Sequence, residues 1–342
     1  LRGWRLTSAP SPRVPATTFP VGGRLFEGRI VNWGSLMGER FLVTGANGCI
    51  GSWVVRQLVD AGDEVVALDL SEDDHRHRLV GGGEVPEIDW RHGDVTEAGA
   101  MSSAMADVDH VIHLAALQVP FCRERPALGS AVNLTGTVNV FEAALEHNLD
   151  RVVHASSIAV YGADDDYEVL PVPVDAIRRP RTLYGVYKKA CEDLGPVYWE
   201  DRGMTSLALR PHTIYGPARD QGLTSQPTIA VSHGAQGRDY AVEYGGSLGF
   251  QFAPDVARAF IAATRIQIKG AHILNLPADT MPVDEFLGIA RNVTGHDGLT
   301  GGTNPLPLVS DVDATTWTDL MGTWDMTPVP DAICRTAEVL IA

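Results

Sequence analysis

Cysteine is scarce in this 342-residue chain. It occurs four times (Cys49, Cys122, Cys191, Cys334), widely spaced and with no Cys-x-x-Cys pair. That argues against a disulfide framework and fits thiols kept reduced in a cytoplasm. Basic residues are also in short supply: 27 Lys and Arg stand against 43 Asp and Glu, a formal net charge of −16. Such a surface repels polyanions, so neither nucleic acid nor an anionic membrane is expected as a partner. No apolar run approaches the ~18–20 residues that a membrane-spanning helix needs.

What remains is an ordinary globular balance, 44% hydrophobic and 20% charged, in a length that suits one large domain or two linked ones. Residues 1–36 read differently, with Pro10, Pro12, Pro15 and Pro20 among early arginines and no sustained period. They are expected to be a disordered leader. Met37 is then the true start, preceded by an upstream translation or a fragment artefact, or the segment is a short native arm.

From Glu39 onward short apolar runs alternate with helix-length amphipathic segments. Strands are predicted over 41–44, 65–69, 88–92, 110–114, 152–156 and 206–210, with helices over 49–61, 131–147 and 184–201. Such alternation predicts an α/β fold, a doubly wound parallel sheet of Rossmann type. Residues 37–215 would form the dinucleotide-binding and catalytic core. Residues 216–342 would form mainly a smaller, mixed substrate-binding lobe, with short strands over 240–244, 251–252 and 272–276 and helices over 255–264 and 283–293. The acidic run 164–166 reads as a solvated loop.

The segment Gly45-Ala46-Asn47-Gly48-Cys49-Ile50-Gly51 follows the first strand and opens a helix. Its glycines permit a sharp turn and close backbone approach to a pyrophosphate, which the helix N-terminus then attracts. Asp69 ends the next strand, 18 residues after Gly51. A carboxylate there accepts hydrogen bonds from ribose hydroxyls and repels a 2′-phosphate, favouring NAD over NADP. Arg76 and Arg78 stand close enough in sequence to soften that preference. His75 and His77 read as an exposed loop, and no metal site is expected because no partner ligand has suitable spacing.

Tyr184 and Lys188 are four residues apart, which on a helix places them on one face. A phenol is a poor base at neutral pH, but an adjacent ammonium stabilises its phenolate. Such a pair can take or return a hydroxyl proton while hydride moves. Upstream, a predicted strand ends in Ser156-Ser157, which in a doubly wound sheet faces the ligand cleft. Ser157 is the candidate to hold the substrate oxygen. Ser156 is read as a capping residue.

Gly93-Asp94-Val95, His113-Leu114-Ala115-Ala116, Asn133 in VNLTGTVNVFEAA, SSIAVYG from Ser156, YGVYK from Tyr184 and Arg210-Pro211 complete the series. In this order, over 39–276, the chain resembles the extended short-chain dehydrogenases/reductases, the NAD-dependent epimerase/dehydratase family. The resemblance implies an enzyme with Ser157, Tyr184 and Lys188 as the catalytic triad. It implies a cofactor site of Gly45, Asn47, Gly48, Cys49, Ile50, Gly51 and Asp69, with Asp94 on the adenine and Val95 beside it. Leu114, Ala115 and Ala116 would line the cleft, Asn133 would support it, Tyr184 and Lys188 would also touch the cofactor, and Pro211 and Thr213 would border the nicotinamide. Gln118, Ser157, Ile158 and Arg219 are the substrate-side candidates. A homodimer through the helices holding Asn133 and Tyr184 is a further implication.

Two departures narrow the expectation. Where dehydratases of the family carry an Asp-Glu pair, this chain has Ile158 and Ala159, so sugar 4,6-dehydration is not expected. An arginine and an asparagine common in nucleotide-sugar enzymes are replaced by Leu248 and Thr213, which points to a smaller substrate. The polar loop 216–224 is the substrate-loop candidate, and Arg238 a further candidate for an anionic group. The expected activity is hydride transfer at a secondary alcohol of a sugar-like small molecule, as an epimerase or a net dehydrogenase. A non-catalytic NAD(P) sensor on the same fold is the alternative.

Overall fold

The computed structural model describes residues 38–341. The expected leader and Met37 lie outside them. Twelve strands and twelve α-helices are ordered as follows among the described residues. The first half runs β1 (Arg40–Thr44), α1 (Cys49–Ala61), β2 (Glu64–Asp69), α2 (His75–Val80), β3 (Asp89–His92), α3 (Ala98–Ala104), β4 (His110–His113), α4 (Val119–Glu124), α5 (Pro126–Ser130) and α6 (Gly136–Glu146). Then come β5 (Arg151–Ala155), α7 (Leu183–Arg202), β6 (Thr205–Arg210), β7 (Thr213–Tyr215), α8 (Gln226–Ala235), β8 (Tyr240–Val242), β9 (Ser247–Phe252) and α9 (Ala253–Arg265). The chain finishes with β10 (Ala271–Asn275), β11 (Asp279–Pro282), α10 (Val283–Thr294), β12 (Leu299–Gly301), α11 (Thr315–Met321) and α12 (Val329–Ile341).

Seven strands form one parallel sheet in the order β10-β6-β5-β4-β1-β2-β3. The predicted doubly wound architecture is therefore present. Its central strands are mostly apolar because helices cover both faces: Phe41, Leu42 and Val43 of β1 are fully buried, whereas the edge strand β3 is polar and partly exposed. Each such side chain contributes on the order of 1.5–3 kcal/mol of burial. The strand order reverses between β1 and β4, and ligands of doubly wound sheets bind outside the strand ends at that switch point.

Elements beyond residue 215 contribute both to the main sheet and to a smaller lobe. β10 pairs in register with β6, Ala271 opposite Ser206 through Asn275 opposite Arg210, so it is the edge strand of the main sheet. α9 packs on α1 in the same hydrophobic core, with Val256, Ala259, Phe260 and Ala263 buried. The remaining elements form a smaller lobe around the sheets β11-β9-β7 and β12-β8, with its own core of Phe250, Phe286, Leu287 and Ile333.

Other expectations shift locally. The helix predicted over 131–147 opens as a π-helical turn, Ala131–Thr135, before α6. His75 and His77 open α2 and not a loop. His77 is 1% exposed, its ring packed on Trp90 and its Nε2 3.1 Å from the Ala46 carbonyl. Of the acidic run, only Asp165 is left in solvent. Asp164 accepts the Ser310 N–H at 2.7 Å, and Asp166 accepts from Ala163 N–H and Arg181.

Candidate functional site

The carboxyl ends of β1, β2, β4, β5 and β6 open into one cleft of about 570 Å³. Its first wall is the glycine turn. Gly45 has φ +69°, and a Cβ there would lie 2.6 Å from the Ala115 backbone N, so only glycine lets the turn pass under the end of β4. Gly48 is the N-cap of α1 and supplies no side-chain cap. The first-turn N–H groups are thus left for a ligand, as an anion site requires. Asp69 is held rigidly: its Oδ2 accepts Asn47 N–H and its Oδ1 accepts Ser71 N–H, both at 2.9 Å. Gly45, Asn47, Gly48, Cys49, Ile50, Gly51, Asp69, Asp94, Val95, Leu114, Ala115 and Ala116 all line the cleft. Asn47 Oδ1 is buried without a partner in the protein. The free N–H donors of an uncapped helix, with a fixed carboxylate and an orphaned amide oxygen as acceptors, suit a dinucleotide.

Asn133 does not reach the cleft. It is fully buried, and its amide donates to the carbonyls of Leu117 at 3.1 Å and Gly129 at 2.9 Å. It shapes the segment after β4 from behind. Arg76 lines the cleft with Asp69, but both Arg76 and Arg78 are already paired. Arg78 pairs with Asp74, and Arg76 with Asp220 and the Asn47 carbonyl.

Ser157, Tyr184 and Lys188 line the opposite wall, with Pro211 and Thr213. Ser157 caps a 3-10 turn, its Oγ accepting Ala159 N–H at 3.1 Å, which leaves the O–H free to donate. α7 starts at a Thr182 cap that accepts Gly185 N–H at 3.0 Å. A Cβ on Gly185 would stand 2.1 Å from the Ala159 carbonyl oxygen, so this glycine lets α7 press on the Ser157 turn. Lys188 is 3% exposed. Its Nζ lies 5.7 Å from the Tyr184 ring centroid and donates to the Ala155 carbonyl at 2.6 Å. Burial and the Lys188 charge keep His113 well below its ordinary pKa and lower that of His154 to about 4. Both stay neutral, so the ammonium is the local positive charge.

Sequence reasoning missed the layer beneath. Glu192 lies four residues beyond Lys188 on the same face of α7 and is 1% exposed. Its Oε1 accepts from Arg210 Nε at 2.6 Å and from Ser156 Oγ at 2.5 Å, and its Oε2 from Arg210 Nη2 at 2.8 Å and Arg178 Nη1 at 2.9 Å. Burial alone would raise its pKa, but these donors hold it below the ordinary value. Arg210 also stacks on Tyr161, 4.7 Å from the ring centroid. Ser156 is thus a bridge from β5 to α7. The repeating four-residue spacing from Tyr184 was the signal that could have revealed Glu192.

Gln118 and Arg219 also line the cleft, and its far end is walled by Ile158 and the residues Pro307 and Leu308 of a late strap. His212 ties that strap down. Its Nδ1 accepts Thr213 N–H at 2.8 Å, so Nε2 carries the proton and donates to the Val309 carbonyl at 3.0 Å. Burial pushes its pKa down to about 4. Leu248 is buried in the lobe core away from the cleft, and Arg238 bonds Gln236 on the surface. Among the described residues no helix is long and apolar enough to cross a membrane, and no three metal-ligating side chains cluster.

Fold and cleft together define a dinucleotide-binding α/β protein. The chain belongs to the NAD-dependent epimerase/dehydratase family, whose description matches residues 41–276. It is 30% identical over 239 residues to the uncharacterized protein y4nG of Sinorhizobium fredii, covering 69% of this chain and 56% of that protein. It is 30% identical over 273 residues to a putative UDP-glucose 4-epimerase of Methanocaldococcus jannaschii, covering 75% of this chain and 83% of that one. A solved structure of MoeE5 with UDP-glucose and NAD superposes with a TM-score of 0.72 at 26% identity, covering 88% of this chain and 98% of that one.

Proposed function

We propose that the chain is an NAD-dependent enzyme that oxidises and re-reduces, or oxidises alone, a secondary alcohol of a sugar-like small molecule. The observation that supports this reading most is the meeting of Ser157, Tyr184 and Lys188 in the cleft that the glycine turn and Asp69 open. When bound, NAD supplies the hydride acceptor. The remaining work falls to the protein. Ser157 O–H orients the substrate oxygen and Tyr184 takes its proton, with Lys188 Nζ 5.7 Å from the Tyr184 ring centroid. Glu192 and Arg210 fix the floor from which Ser157 and Lys188 project.

An epimerase fits better than a dehydratase. Elimination of water needs an acid and a base beside the reacting carbon, and Ile158 and Ala159, after Ser157, bring neither. The membership of nucleotide-sugar epimerases among the relatives makes nucleotide sugars the first substrates to try, followed by free sugars and sugar acids. The experiment is a panel of these with added NAD, followed by NADH absorbance and by chromatography of epimers. No turnover of any hydroxylated substrate, with nucleotide bound, would instead support a sensor.

A further inference from the structure

We propose that His75, Arg76 and Asp220 form a clasp across the cofactor trough that retains the dinucleotide through turnover, with Asp220 as the positioning residue. The inference rests on the reading that the cleft binds NAD. His75 and Arg76 open α2 on the glycine-turn side, whereas Asp220 stands 144 positions beyond Arg76 on the loop after β7. Asp220 Oδ1 accepts from Arg76 Nη2 at 2.7 Å and Nε at 3.1 Å, and its Oδ2 lies 2.8 Å from His75 Nε2. The third guanidinium nitrogen, Nη1, donates to the Asn47 carbonyl in the glycine turn at 2.9 Å. The same loop is pinned a second time, where Trp53 Nε1 of α1 donates to the Pro217 carbonyl at 3.0 Å.

Arg76 and Asp220 line the same cleft as Gly48 and Cys49 at the uncapped start of α1. The contact therefore joins the two walls between which a pyrophosphate on that helix would lie. One exposed ion pair is worth little. Here both carboxylate oxygens are used, the Arg76 side chain is 13% exposed, and the arginine is also tied to a backbone carbonyl. Such a network resists separation more than its parts do. A ligand seated beneath it leaves only after the walls part, so the effect falls on the dissociation rate. Retention suits a redox-neutral epimerisation, in which the hydride abstracted from a carbon returns to that carbon and the cofactor need not exchange.

The test is displacement of the fluorescent analogue 1,N6-etheno-NAD from the full chain by excess NAD in stopped flow. Asp220→Asn and Arg76→Met should each speed release about tenfold, and the double variant no more than the larger single, because both break one contact. Asp220→Glu, which keeps the charge, should restore part of the retention, and melting temperatures report that each variant is folded. Unchanged or slower release in Asp220→Asn, or additive effects in the double variant, would overturn the clasp while leaving the cofactor reading intact. Failure of the wild-type protein to bind the analogue would overturn the cofactor reading, and the clasp with it.

Discussion

The two ends of the cleft are built from different materials. At the glycine turn the working groups are backbone: the first-turn N–H groups of α1 and the N–H groups of Asn47 and Ser71 that fix Asp69. At the far end they are side chains and strap residues brought from distant parts of the chain, such as His212 on Val309, 97 residues on, and Asp164 on Ser310, 146 residues on. Backbone groups recognise a fixed shape and tolerate little variation. Side chains on loops can be exchanged without disturbing the sheet, which is how one fold serves many substrates. The wall carrying Tyr184 and Lys188 lies between, set on a helix but aimed at the variable end.

The sharpest cut between the ends is Tyr184→Phe. It removes the proposed proton carrier and leaves every glycine-turn contact in place. Turnover should fall about 10³-fold with NAD affinity unchanged by calorimetry. A matching loss of NAD affinity would break the division by placing the hydroxyl in the cofactor's grip.

The next largest effect is on folding. Glu192→Gln leaves Arg210 and Arg178 with an uncharged partner in a buried site, and breaking such a pair costs on the order of 3 kcal/mol. Denaturant unfolding reads it. The carboxylate is held below its reference value of 4.5 by its arginine and serine donors, against the opposing effect of burial. Its stabilisation is therefore complete above the unfolded value and lost as pH falls through the lower folded value. The wild type should lose stability over that acid window, and Glu192→Gln should lose less of its own there. Equal acid slopes would show that the layer under the catalytic wall contributes nothing electrostatic.

Asp69→Ala tests the backbone end alone. It deletes the proposed ribose acceptor and frees two N–H groups, so the Kd for NAD should rise about tenfold, with a smaller change for NADP. A loss equal for both cofactors would mean that Asp69 only braces the turn.

How much of each end could be read in advance follows from the same difference. The glycine turn, Asp69 and the Tyr184–Lys188 spacing are local patterns, each contained in one strand-turn-helix unit, and they were legible. So was the parallel sheet, because fully buried strands are continuous apolar runs. The place of β10 at the sheet edge was not legible, since pairing partners 65 residues apart leave no mark on a short run such as Ala271–Asn275. Asn133 was legible as part of a motif, yet its burial behind the wall depends on the carbonyls of Leu117 and Gly129. The four-residue repeat from Tyr184 marks Glu192 itself, but its pairing with Arg178 and Arg210 and the contacts of Asp220 join distant parts of the chain, which sequence spacing cannot reveal.

Arg219, with an expected effect no larger than that at Asp69, bears most directly on where the two ends meet. It lines the cleft on the loop after β7. Its Nη2 donates to Thr224 Oγ1 at 3.0 Å, while its buried Nε has no partner in the protein. A buried guanidinium N–H left unmade costs free energy unless a ligand or a water completes it. If a substrate group completes it, Arg219→Met should raise KM about tenfold with kcat and NAD affinity little changed. If it serves the cofactor, the loss should instead fall on NAD binding, because Arg219 is close enough to Cys49, at the start of α1, for its charge to lower that thiol against the burial that raises it to about 11. The split between KM and NAD affinity thus assigns the residue to one end of the cleft, and equal losses in both would place it across the boundary.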